Sequence, residues 1–304
     1  MAATMGPDVA AQYAVKHATI EHRAGNAEVA AEILSKHGAP PHPSFFTLYK
    51  EIATEVLAGK QDGYGEVELK DFLRTLVGTM SATPEINAGA LKELSRFLEA
   101  AHLALVRAQA KDAGLLDVSA KAATSLLRYI GELPADRAFF EAGIACRDAG
   151  LLNMAFVFLN RYLDLTEAMD DPDADSGSAS TLENADFVDT DIPYDFVLPE
   201  RHFVQEATRE EVRDWVLALS MDQQVDQTLS SRTCSSCGRD TYVAAVTCHR
   251  CKSKADQCAV TGFPIPAGER VMHEGRPARK DDWNKWCLKL HTDPWSGTPA
   301  QPKY

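Results

Sequence analysis

No stretch of the 304-residue sequence stays apolar for the roughly 20 residues that a membrane-spanning helix needs. No cationic-apolar leader opens it, so the chain is expected in the cytosol or in a compartment continuous with it. Positive charge is scarce. Against 44 Asp and Glu stand 31 Lys and Arg, and the formal net charge of -13 removes the broad cationic face that nucleic acid or anionic lipid requires. Arg270, Arg276, Arg279 and Lys280 form the densest local basic group. Cysteine is not arranged as a disulfide framework, because four of the seven stand in close pairs, which argues for a reducing compartment. Nowhere between positions 167 and 195 is there a Lys or Arg.

What is present begins with helix. Through position 165 the chain is rich in Ala, Leu, Glu and Lys, with apolar residues returning every three or four positions. The spacing predicts helices over 9–24, 27–36, 43–57, 67–80 and 90–111, with Gly and Pro marking the breaks. Two near-copies, Lys111-Asp-Ala-Gly-Leu-Leu-Asp117 and Arg147-Asp-Ala-Gly-Leu-Leu-Asn153, are offset by 36 residues, a period close to that of helix-turn-helix solenoids. Gly143, Gly150 and Ala155, and in the same spacing Ala18, Gly25 and Ala30, are small where paired helices must approach closely. This half resembles a divergent tetratricopeptide array; an unrelated helical bundle is the alternative. Cys146 reads as a small core residue.

A change of composition follows. The acidic run 170–180 has too little apolar surface to order itself, and is read as a flexible linker. Asp191-Ile-Pro-Tyr-Asp-Phe-Val-Leu-Pro199 carries two prolines and is expected to lie extended as a strap. Thr208-Arg-Glu-Glu211 has the form of a capping box opening a helix toward Leu229.

The most specific chemistry comes next. Cys234/Cys237 and Cys248/Cys251 are two Cys-x-x-Cys turns that can aim four thiolates at one point, the pattern of a structural, closed-shell Zn2+. The β-prone run 241–247 is expected to form the hairpin between them. A redox dithiol would use one such pair at a helix start in an alternating strand-helix fold, which is not the pattern here. Nucleic-acid binding by the zinc ribbon rests on the nearby Arg and Lys residues and is opposed by the acidic balance.

From Cys258 the order reads as turn, strand, strand and helix. Trp283, Trp286, Cys287 and Leu290 share one helix face, and Arg270 to His273 is a return strand. Cys258-Ala-Val260 and the basic-x-x-apolar-x-x-Trp pattern of Lys280, Trp283 and Trp286 resemble a U-box, a ring-finger-like fold that replaces its metals with hydrogen bonds. That resemblance implies a dock for a ubiquitin-conjugating enzyme at Val260, Trp283 and Pro294. Against ligase activity, the segment after Leu290 is short and polar, and no basic residue stands beside Pro294.

Taken together, the repeats, the Asp191-Ile-Pro strap, Ala259-Val-Thr-Gly-Phe-Pro-Ile265 and Asp281-Asp-Trp-Asn-Lys-Trp286 resemble the C-terminal end of a large-subunit family of the intraflagellar transport B complex. The resemblance implies a terminal part of a larger subunit, contacts with other intraflagellar transport proteins, and work in the cilium or flagellum and near the ciliary base. The expected fold is mainly α: a tetratricopeptide-like helical solenoid over 1–166, an acidic linker and strap over 167–199, and a small α+β zinc-ribbon/U-box-like domain over 200–304. The expected function is an interaction module, with a U-box-like ubiquitin ligase or ubiquitin-binding domain as the alternative.

Overall fold

The computed structural model describes residues 7–59, 65–82, 88–171, 177–221 and 225–304. It is mainly helical, as a helical solenoid requires, and divides into two compact units, 1–105 and 106–304. Among the described residues no helix is long and apolar enough to cross a membrane.

In the first unit, α1 (Pro7–Arg23) packs on α2 (Ala27–His37), which in turn meets α3 (Phe46–Leu57) and α4 (Glu66–Ser81). Each helix buries one stripe. Ile52, Ala53, Val56 and Leu57 of α3 and Leu69, Phe72, Leu73 and Leu76 of α4 recur at three- and four-residue spacing and are buried. Each such large apolar side chain contributes about 1.5–3 kcal/mol relative to exposure. Tyr49 crosses Phe72 with ring centroids 5.9 Å apart, and its hydroxyl donates to the Pro40 carbonyl at 3.1 Å. Glu28 in the first turn of α2, and Lys36 and His37 in its last, match the helix dipole.

From Val106 onward, the end of α5 (Ala88–Asp112) belongs to the second unit, followed by α6 (Leu116–Leu126), α7 (Ala135–Asp148) and α8 (Leu152–Asp170). The duplicated heptapeptides form the same turn. Gly114 and Gly150 adopt φ +72° and +75°, and Leu115 and Leu151 share φ -88° and ψ 65°. Both turns close identically, Leu115 N–H donating to the Ala110 carbonyl and Leu151 N–H to the Cys146 carbonyl at 2.8 Å. The Gly25-Asn26 turn repeats the pattern, with Gly25 at φ +81° and the Asn26 N–H on the Glu21 carbonyl at 3.0 Å. Where α7 crosses α8, Gly143 leaves no room for a methyl group: a Cβ there would lie 2.4 Å from Leu159 Cγ. Ala155 and Cys146 are fully buried in the same core.

The expected linker divides three ways. Residues 167–170 continue α8, 172–176 lie outside the described residues, and 177–199 packs on the helices. Ala179, Phe187 and Ile192 enter the core of α7 and α8, while Ala179 N–H bonds the Phe196 carbonyl at 2.9 Å. This run was too acidic to suggest packing, yet Ala179, Phe187 and Ile192 turn inward while Val188, Tyr194 and Val197 stay exposed.

The capping box expected at Thr208 does not form. α9 (Glu206–Ser220) begins earlier, after Gln205, with no side-chain cap, and it stops well short of Leu229. Its first turn is held by charge instead: Arg209 pairs with Glu206 and reaches Asp170 at the end of α8 at 2.6 Å.

The remainder is small antiparallel structure. β1 (Ser231–Thr233) pairs with β2 (Asp240–Tyr242), and β3 (Arg270–His273) with β4 (Arg276–Arg279). Glu274 and Gly275, both at positive φ, make the two-residue turn that this strand twist favours. α10 (Lys280–Leu290) follows directly, burying Trp283, Trp286 and Cys287.

Candidate metal centre

The first cysteine pair sits at the tip of the β1–β2 hairpin, so the hairpin surrounds one knuckle rather than lying between the two as the β-prone run suggested. Cys234 N–H bonds the Arg239 carbonyl at 2.8 Å and Gly238 N–H returns to the Cys234 carbonyl at 2.9 Å. The second pair repeats this turn: Cys248 N–H to the Ser253 carbonyl and Lys252 N–H to the Cys248 carbonyl, both at 2.9 Å. Gly238 and Lys252, each one residue past the second cysteine, take φ +70° and +58°.

The two turns face each other. Cys234 Sγ is 3.8 Å from Cys251 Sγ, Cys237 Sγ is 3.9 Å from Cys248 Sγ, and all four sulfurs lie within 4.8 Å of one another. Cys234 and Cys248 are buried, whereas Cys237 and Cys251 reach the surface. The Ser253 hydroxyl and the amides of Cys237 and Ser236 hold the Cys234 thiol down at about 5. Ser253 also lowers Cys251. Cys237 is instead pushed up to about 11: the Arg239 amide favours its thiolate, but desolvation and the three neighbouring thiols outweigh that. Four thiolates this close repel one another unless a cation sits among them.

The same turn occurs twice more without a full set of sulfurs. Cys258 N–H bonds the Phe263 carbonyl and Gly262 N–H the Cys258 carbonyl, both at 2.8 Å; Asp293 N–H bonds the Thr298 carbonyl at 2.8 Å and Gly297 N–H the Asp293 carbonyl at 2.9 Å. Hydrogen bonds fill these turns. Thr261 Oγ1 donates to Asp282 Oδ2 at 3.1 Å, the Arg279 amide to Cys258 Sγ at 3.3 Å, and Lys121 Nζ to Asp282 Oδ1 at 2.6 Å. At the other turn Asp293 accepts from the Trp295 amide at 2.7 Å and from Ser296 Oγ at 3.1 Å, with His273 Nε2 3.4 Å from its second oxygen.

Val260, Trp283 and Pro294 do not form an open docking face. Val260 and Trp283 are buried against Val106, Ala110, Val118 and Ala122 of α5 and α6, and Pro294 is buried in the last turn. Their apolar character serves packing here, whereas the U-box resemblance implied a dock. Three of the four residues in the local basic group are likewise engaged: Arg270 pairs with Asp256 at 2.8 Å, Arg279 with Glu269, and Arg276 lies 3.5 Å over the Trp295 ring.

Sequence reading missed the residues that join the C-terminal turns to the helices. Arg128 donates to the Ala244 carbonyl at 3.0 Å and the Gly262 carbonyl at 2.8 Å, Asp191 accepts from the Val246 amide at 2.9 Å, and Lys285 reaches Asp117 at 2.7 Å. No local pattern marks partners more than 50 positions apart.

No protein-family model matches the chain. Curated relatives do. Intraflagellar transport protein 172 of Chlamydomonas reinhardtii is 45% identical over the whole chain, which covers 18% of that protein. The chain is homologous to a C-terminal region of intraflagellar transport protein 172. The human homolog is 37% identical over 92% of the chain, and osm-1 of Caenorhabditis elegans, an intraflagellar transport protein, 31% over 93%; the chain covers 16% of each. It thus spans less than one-fifth of the length of these relatives.

Proposed function

We propose that the chain is a protein-interaction module of intraflagellar transport, acting in the cilium or flagellum through contacts with other intraflagellar transport proteins. One observation carries the reading: similarity to relatives named for this transport runs along the entire chain, through both compact units. The helical part supplies the kind of surface the role needs. Stacked pairs of a tetratricopeptide-like array expose long faces for extended segments of partners, and the repeated Gly25, Gly114 and Gly150 turns are what such stacking requires. Cargo carriage and remodelling of transport trains follow from such contacts without turnover.

The test is direct binding. The tagged chain should co-migrate with transport proteins purified from flagella, at a ratio that survives dilution and moderate salt. Passage through the column alone, with the chain folded, overturns the reading.

A second reading is favoured by the four equivalent turns. Two have thiol pairs, and the turns at Cys258 and Asp293 are filled by hydrogen bonds in the manner of a U-box-like domain. That reading adds contacts with ubiquitin or a ubiquitin-conjugating enzyme. Because Val260, Trp283 and Pro294 are covered, such contacts would have to use other residues. Discharge of a charged ubiquitin-conjugating enzyme by the intact chain supports it; no discharge and no ubiquitin binding removes it.

A further inference from the structure

We infer that Cys234, Cys237, Cys248 and Cys251 hold one Zn2+ ion, and that this ion locks residues 187–192, where the acidic run meets the strap, onto the helical core.

The argument starts from distance. A tetrahedral zinc thiolate site with Zn–S bonds of about 2.3 Å places its sulfurs about 3.8 Å apart. Here Cys234–Cys251 and Cys237–Cys248 stand at 3.8 and 3.9 Å, and each pair joins one knuckle to the other. These are non-bonded separations, far beyond the roughly 2.05 Å of a disulfide, and all four cysteines are free. The sulfurs are brought together by backbone turns of the same form, not by a helix or by chance proximity of loops. Four sulfurs and no oxygen donor select a soft or borderline ion, and zinc meets that demand without redox chemistry. With four protein ligands the coordination shell is closed, so the ion is structural rather than hydrolytic.

The second half of the inference comes from what the knuckles hold. At the end of β2 and just beyond it, Tyr242, Ala244 and Ala245 are buried in the core with Phe187 and Ile192 and with Phe139 and Phe158 of the helices. The Val246 amide bonds Asp191 at 2.9 Å, His249 lies 3.7 Å from Asp189, and Arg232 reaches the Ala245 carbonyl at 2.7 Å. Strands of three residues cannot keep this loop in place by their own ladder. Fixing both knuckles fixes the segment between them, and with it the contacts that hold the strap. The cysteine lobe is therefore a clasp whose closure depends on metal, as in other small domains whose site forms only with the ion.

The intact chain, purified without affinity resins that carry metal, is the sample. Elemental analysis should find one zinc per chain, and the Cys237→Ser/Cys251→Ser double variant should lose it, while Cys146→Ser keeps it. Cobalt added to chelated protein should give the intense visible bands of a tetrahedral tetrathiolate. Hydrogen exchange before and after chelation provides a readout that does not depend on the variants folding. Amides in 187–192 and 234–254 should exchange at least tenfold faster without metal, with no change in α1 to α4. A chain that holds no zinc and forms no tetrahedral cobalt complex overturns the site. Zinc bound but unchanged exchange at 187–192 overturns the clasp.

Discussion

Lys121 and Asp282 meet across 161 positions of sequence, the ammonium donating to a carboxylate oxygen at 2.6 Å, and Asp282 has no solvent exposure. The second oxygen of Asp282 accepts from Thr261 and lies near the Cys258 thiol, so one carboxylate joins α6, the Cys258 turn and α10. Beside it Lys285 of α10 reaches Asp117 of α6.

Removing the cation leaves the buried Asp282 carboxylate without its ion-pair partner. Lys121→Ala is expected to lower the unfolding free energy of the 106–304 unit by about 3–5 kcal/mol, measured by urea denaturation. Replacing both partners with apolar side chains of similar volume should cost clearly less, because neither charge is then stranded.

Two glycines in the 143–150 stretch separate packing from backbone conformation. At Gly143 a methyl group would meet Leu159 Cγ at 2.4 Å, so Gly143→Ala should destabilise by about 1–3 kcal/mol through overpacking of α7 on α8. At Gly150 there is open space but φ is +75°, so Gly150→Ala should cost about 1–2 kcal/mol from the left-handed backbone alone. Leu159→Ala, which opens a cavity at a fully buried site, should cost less in the Gly143→Ala background than alone, and the same with or without Gly150→Ala, as thermal denaturation can show.

These glycines also mark what the sequence made legible. The turn at Gly150 could be read because its heptapeptide is duplicated at Gly114, and positive φ is what glycine is for at a helix end. The cysteine turns were legible by spacing, and α10 by its tryptophan face. The Lys121–Asp282 link was not, since each residue sits in an ordinary helical run and only the tertiary fold pairs them. Val260 and Trp283 show the converse. Their motif was visible, but a motif does not reveal that α5 and α6 cover it. The Thr208 cap failed because Glu206, Arg209 and Asp170 form a charged first turn that begins the helix sooner.

Asp164 gives a pH-dependent prediction. Burial, with Glu167 and Asp186 nearby, raises its pKa, and Arg161 only partly offsets this. A carboxylate whose folded pKa is raised disfavours folding when ionised, and the penalty fades as pH falls through that value. Asp164→Asn should therefore raise the melting temperature by about 1–3 °C at pH 7.5, with the gain shrinking toward the ordinary carboxylate range near pH 4. A gain independent of pH would contradict the assignment.

Arg128 ties the Ala244 and Gly262 carbonyls to the end of α6 and lies 4.0 Å from Asp191. Arg128→Ala should destabilise by about 1.5–3 kcal/mol for each charged hydrogen bond lost. Hydrogen exchange should quicken at 244–246 and 258–263. Arg128→Lys should recover little, because one ammonium cannot span both carbonyls in the planar geometry of the guanidinium.

The proposed role in intraflagellar transport is tested most directly by exchanging this chain for the matching C-terminal region of the Chlamydomonas reinhardtii relative, with which it shares 45% identity, and imaging train movement in living flagella. Trains carrying the exchanged region should enter and return along the flagellum at normal frequency. A stable, folded chimera that leaves flagella short and is missing from moving trains would contradict it.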